Sequence, residues 1–139
     1  MQMLLKKPKP YFIIYLIFQK NTLFSVISMR HNMGLEAGIK KLKIVSDYAL
    51  KAGKLAAFTE TGLKSIPNPT WWTETLLKAM RSGKMQLCYV LVWRNDMRSP
   101  THFYAPFPGQ VSEADFIKFY NDPYTLFENG LKNIYKIKR

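Results

Sequence analysis

The sequence predicts an α/β fold built from parallel β/α units, and three observations predict it. Two uncharged apolar runs, residues 55–59 and 86–93, lack the alternation of a half-exposed strand and suit strands covered on both faces. Segments with helical spacing of apolar residues surround them, in the order helix, strand, helix, strand, helix, helix. The 139 residues, 47% apolar and 14% aromatic, are enough for one packed domain and argue against intrinsic disorder.

Residues 1–35 leave two readings open. Lys6, Lys7 and Lys9 precede the apolar stretch 11–18, the order of a secretory signal, although no clear small-x-small cleavage site follows. A remnant in front of a truncated gene fits equally. Gln19, Lys20 and Asn21 end the run well short of the roughly 20 apolar residues of a spanning helix, so a transmembrane helix is excluded.

From residue 36 the pattern is regular. Ile39, Leu42, Ile44, Val45, Tyr48, Ala49 and Ala52 recur at helical spacing, lysines take the other side, and Gly53 supplies a stop, which predicts a helix over 36–53. A buried strand follows at 55–59 and ends in Glu60-Thr61-Gly62. Pro67 and Pro69 mark a loop, and Thr70 is the expected N-cap of a helix that runs through Leu76, Leu77 and Met80 to Gly83. The second strand spans 86–93, followed by a loop rich in proline and aromatics to Gln110. Ser112-Glu113-Ala114-Asp115 reads as a capping box for a helix through Phe116, Phe119 and Tyr120, and Pro123 opens a last helix to about Ile137. Two strands would leave both sheet edges unpaired, without the charges that usually protect an edge.

The net charge of +12 raises the question of a nucleic-acid or membrane partner. Residues 1–54 carry +8 of it and residues 55–139 only +4, so the excess lies mostly outside the half with the sharper motifs. With no arginine-rich stripe or nucleic-acid module, the lysines read as a solvated surface and no nucleic acid is expected. Cys88, the one cysteine, permits no internal disulfide and no cysteine-based metal site, and it reads as a small buried hydrophobe.

Chemistry is expected where the strands end. In eight-stranded β/α barrels the C-terminal strand ends line the active site, which here means Glu60 on one strand and Trp93, Arg94 and Asn95 on the next. A carboxylate beside an indole platform suits a carbohydrate, although a lone Glu after a strand is more commonly a cap or an ion-pair partner.

Four segments give a sharper reading. These are Lys54 to Gly62 (KLAAFTETG), Pro69 to Thr73 (PTWWT), Tyr89 to Asn95 (YVLVWRN) and His102 to Gly109 (HFYAPFPG), joined further on by Asp115-Phe116 and Leu126-Phe127. In order and spacing the chain from about Glu36 to its end resembles glycoside hydrolase family 26, and most of all its bacterial β-mannanases. The resemblance implies a C-terminal fragment of a (β/α)8 TIM barrel, about strands 7 and 8 with flanking helices. Residues 36–139 are then a partial catalytic domain, with residues 1–35 outside the match.

The resemblance also implies roles. Glu60 matches the catalytic nucleophile, Trp93 the tryptophan beneath the sugar at the cleavage subsite, and Arg94 a residue contacting the next sugar. Asn95 shares the motif without an assigned role. The implied reaction is retaining hydrolysis of β-1,4-mannosidic bonds in β-mannan or manno-oligosaccharides, with no cofactor and no metal. The acid/base glutamate and strands one to six should precede the match, and residues 1–35 contain no glutamate, so the chain alone is expected to be inactive. A secreted or periplasmic location is implied for the parent enzyme.

Other residues read as structural. Trp71 and Trp72 could face a sugar but suit packing under a neighbouring loop; His102 and Tyr104 sit on the loop after the second strand, and Asp96 and Asp115 fit loop and cap positions. Two rival functions are a small basic membrane-surface protein using Lys6, Lys7 and Lys9, and a non-catalytic carbohydrate-binding fragment built on Trp93.

Overall fold

A computed structural model describes residues 22–26, 35–82 and 84–130, the side chains of 22–26, Glu60 and Glu128 lying outside that description. Strand β1 (Thr22–Val26) leads to helix α1 (Leu35–Lys51) and strand β2 (Leu55–Thr61). A π-helical stretch, Trp71–Leu77, continues as α2 (Lys78–Arg81) into strand β3 (Leu87–Val92), and α3 (Glu113–Tyr120) follows. The three strands form one sheet in the order β1-β2-β3, and both pairings are parallel.

The sequence reading expects two strands, and the third is a correction. It comes from residues before 36: β1 pairs in register along one edge of β2, from Thr22 opposite Leu55 to Val26 opposite Thr59. Its composition, Thr-Leu-Phe-Ser-Val, mixes polar and apolar residues in a stretch too short for periodicity to reveal.

Helix α1 ends as expected. Gly53 adopts a φ of +62°, and the Gly53 and Lys54 amides donate to the carbonyls of Leu50 and Ala49. Its buried face is narrower than the spacing implied: Leu42, Ser46 and Ala49 face inward, whereas Ile44 and Tyr48 are exposed. Ser46 is buried because its Oγ accepts the amide of Gln86 at 2.9 Å, which ties α1 to the start of β3.

The core gathers Leu42, Phe58, Ile66, Trp71, Trp72, Leu76 and Phe119, so both tryptophans pack as the sequence reading expects. Trp72 is 1% exposed, and its ring meets Phe116 edge-on at 4.7 Å and Phe119 at 5.5 Å. Such a ring brings both a large apolar area and an N–H that needs a partner. Ser112 Oγ supplies the partner at 3.1 Å and in turn donates to Gln110 Oε1.

Both predicted caps are corrected. Thr70 makes no capping bond with its side chain; its amide and hydroxyl both donate to Asn68 Oδ1. Asp115 turns away from the N-terminus of α3 and accepts the Thr73 amide at 3.0 Å and the Thr73 hydroxyl at 2.6 Å, so it caps the opposite helix. The box pattern predicted the right residue type in the right place and the wrong partner, because a buried carboxylate takes whichever donors are desolvated beside it.

The helix expected from Pro123 is also corrected. Among the described residues, only a single 3-10 turn at Glu128–Gly130 forms there. Asp122 holds the chain in a turn instead, accepting the Tyr124 amide at 2.8 Å, while Arg81 pairs with its carboxylate and lies over the Tyr124 ring. The rest of that predicted helix, the apolar stretch 11–18 and the stop at Gly83 lie outside the described residues. Among the described residues, no helix is long and apolar enough to cross a membrane.

Replacing Asp115 by Ala strands the Thr73 amide and hydroxyl, and the expected loss is about 2 kcal/mol of unfolding free energy. Asp115→Asn retains one acceptor and loses less. Urea-unfolding midpoints of the two variants against the parent chain check this.

Candidate functional site

Parallel pairing brings the C-terminal ends of β2 and β3 to the same edge of the sheet. Glu60 is the penultimate residue of β2, and Trp93 and Arg94 follow β3 directly. One backbone bond closes the pair beyond the last bridge: the Trp93 amide donates to the Thr61 carbonyl at 2.8 Å. Thr61 stands opposite Val92, so Glu60 and Trp93 flank the last paired position of the two strands, offset along them. The Glu60 side chain lies outside the described residues. Trp93 is 38% exposed, enough to offer a ring face, and the Arg94 side chain is exposed with Nη2 3.9 Å from Asp96 Oδ2.

The loop after β3 is organised by two neighbouring side chains. Asp96 takes the Arg98 guanidinium and the Arg98 amide on its oxygens, and these bonds, with Arg94 nearby, hold its carboxyl well below the usual carboxylate range. Asn95 turns back on the loop, accepting the amides of Tyr104 and Ala105 and donating to the Ala105 carbonyl. Sequence reasoning assigned Asn95 no role; its place directly after the Trp-Arg pair is the signal that marks it.

The loop after β2 is strained. Ser65 and Ile66 have φ values of 60° and 37°, the second unusual for a β-branched residue. They are kept there by the Ser65 amide and hydroxyl, bonded to the carbonyls of Phe103 and Thr101, and by Gln110 Nε2 on the Ile66 carbonyl at 2.9 Å. Gly62 has a φ of +138°, and a Cβ there would lie 2.7 Å from Tyr104 Cδ1 and 3.3 Å from Val92 Cγ1. Only glycine fits both the torsion and the space.

Two groups on the strands are less settled in their surroundings. Thr61 Oγ1 is fully buried and has no hydrogen-bond partner among the described residues. Cys88 is only partly buried, against the buried position its apolar run predicted; its thiol donates to the Ala56 carbonyl, and burial pushes its pKa up. Among the described residues, no three His, Cys, Asp or Glu side chains gather closely enough to hold a metal ion.

The fold of the chain recurs in solved structures. A GH26 β-mannanase from Bacteroides ovatus is 40% identical, with a TM-score of 0.76 over 86% of this chain and 34% of that one. The chain is a structural relative of the family 26 glycoside hydrolases. GH26C from Muricauda sp. MAR_2010_75 matches at 30% identity and a TM-score of 0.58, covering 67% of this chain and 25% of its own. A modular endo-β-1,4-mannanase from Cellulomonas fimi matches at 26% identity and 0.59, covering 69% and 22%. The chain spans about a third or less of the length of these relatives, which are TIM-barrel enzymes, and its mixed α/β fold corresponds to part of that barrel. No protein-family model and no curated protein matches it.

A buried hydroxyl without a partner costs about 1–3 kcal/mol relative to a paired one, so an isosteric apolar side chain relieves the chain. Thr61→Val is expected to leave stability unchanged or raise it by about 1 kcal/mol. A lowered urea midpoint would reveal a partner for that hydroxyl.

Proposed function

We propose that this chain carries the C-terminal part of a retaining endo-β-1,4-mannanase barrel, with β2 and β3 as its strands seven and eight and Glu60 as the nucleophile. The observation that supports this most is the 40% identity to the Bacteroides ovatus β-mannanase over 86% of the chain, on a fold whose parallel strands β2 and β3 end at the same side of the sheet. The substrate is β-mannan or a manno-oligosaccharide.

On this reading the ionised Glu60 attacks the anomeric carbon and forms a glycosyl-enzyme as the bond to the leaving oxygen breaks. That oxygen takes its proton from a second carboxyl group roughly 5 to 5.5 Å away. Water then displaces Glu60, giving up a proton to the second group, and the anomeric configuration is retained. Trp93 stacks beneath the sugar being cleaved, and Arg94 holds the neighbouring sugar. No step in this chemistry calls for a metal or cofactor. Because mannan is an extracellular polymer, the complete enzyme acts in a secreted or periplasmic setting.

The second carboxyl group is the missing part. Residues 1–35 contain no glutamate, and Glu36 opens the helix α1 and does not end a strand, where the resemblance puts the acid/base. The 139 residues by themselves therefore supply the nucleophile without its acid/base partner and are expected not to hydrolyse mannan.

Two measurements test the proposal. The purified 139-residue chain is expected to release no reducing ends from mannan. A chimaera of the Bacteroides ovatus enzyme with residues 36–139 in place of its own matching segment is expected to hydrolyse mannan. In it, Glu60→Ala lowers kcat by about three orders of magnitude or more. Added azide then restores turnover with an α-mannosyl azide product. Undiminished turnover by the Glu60→Ala chimaera overturns the assignment.

A further inference from the structure

The segment 101–105 is fixed between the two strand-end loops, and Asn95 does most of the fixing. Its Oδ1 accepts the Tyr104 amide at 2.7 Å and the Ala105 amide at 2.9 Å, while its Nδ2 donates to the Ala105 carbonyl at 3.1 Å. One side-chain amide therefore serves three backbone groups in a stretch with no ladder or helix to serve them. The neighbouring amide of Asp96 adds a bond to the His102 carbonyl at 2.8 Å, and from the other side the Ser65 amide donates to the Phe103 carbonyl at 2.8 Å.

The result is a defined seat for one ring. Tyr104 lies directly on Gly62, so close that a Cβ at position 62 would overlap Cδ1. His102 meets the same ring edge-on, with centroids 5.4 Å apart. Gly62 is two residues beyond Glu60, and Asn95 two beyond Trp93, so both the seat and its clamp belong to the strand ends that hold those positions. Tyr104 is only partly buried, which leaves part of its surface to meet a bound molecule.

We infer that Asn95 is a positioning residue that sets the Tyr104 ring on Gly62 as a wall of the sugar cleft. The inference rests on the strand ends being a sugar site, and it adds a contact residue, Tyr104, together with the group that orients it. An amide is the side chain for this task because it presents an acceptor and a donor on one plane. Aspartate keeps the acceptor and loses the donor, and alanine keeps neither.

The test uses the full chain and three readouts: amide exchange, mannotetraose affinity from tryptophan fluorescence, and thermal midpoint. Asn95→Ala is expected to raise exchange at Tyr104 and Ala105 about tenfold, leaving the β2 and β3 amides and the midpoint little changed. Asn95→Asp keeps those two amides protected. Mannotetraose affinity falls about tenfold in Asn95→Ala and in Tyr104→Ala, with Asn95→Asp between them and the parent. Unchanged exchange at 104 and 105 overturns the inference, as does exchange raised uniformly along β3. So does full affinity in Asn95→Ala when Trp93→Ala has lost it. An unmutated chain that binds no mannotetraose overturns the sugar-site reading and with it this use of Tyr104, while the exchange pattern separately decides the hold of Asn95 on the loop.

Discussion

The amide of Trp93 bonded to the carbonyl of Thr61 is the contact on which the arrangement of the site depends. Register irregularities interrupt the β2–β3 ladder between Ala56 and Phe58 and again between Phe58 and Thr61. A strand pair with such shifts does not set its own C-terminal alignment by regular repetition. The closing bond does so, fixing Thr61 opposite Val92 where the two strands end. In a parallel sheet the two chains then leave on the same side, and their loops meet over a common edge.

Those loops are stiff for reasons of polar satisfaction more than of apolar packing. Irregular backbone cannot use a ladder, so side chains supply the missing partners: Asn95 for Tyr104 and Ala105, Gln110 for Ile66, Ser65 for Thr101. Behind them, Trp72 and Asp115 lock α3 against the π-helical stretch, one through its indole N–H on Ser112 and the other through its carboxylate on Thr73. Deep packing and strand-end geometry are thus connected, because Gln110 bonds both the strained corner at Ile66 and the Ser112 that holds Trp72.

Much of this was legible in the sequence, and the rest was not for identifiable reasons. The apolar runs gave β2 and β3, and helical spacing gave α1, because burial on one or both faces leaves a periodic trace. The strand β1 left none: it is five residues of mixed polarity, recognisable only by its pairing with β2. Ser112 and Asp115 were read as parts of a local capping box, yet their partners lie about forty positions away, and no local pattern encodes a partner at that distance. The position of Asn95 was marked by the Trp-Arg pair before it but its role was not, since an amide that braces a loop nine or ten residues on looks like any other loop asparagine. The exposure of Ile44 and Tyr48 shows the converse, apolar spacing continuing onto a face that the described chain leaves open.

Ile66 carries a consequence for how tolerance at this corner is to be understood. Its backbone torsion disfavours a β-branched residue by about 1–3 kcal/mol, while complete burial of its side chain favours it by a comparable amount. Glycine at this position would relieve the torsion and at the same time leave a cavity in the core, so its cost falls below the roughly 2–5 kcal/mol that truncating a buried isoleucine usually brings. A modest penalty there would record two opposing effects of which only the difference is visible.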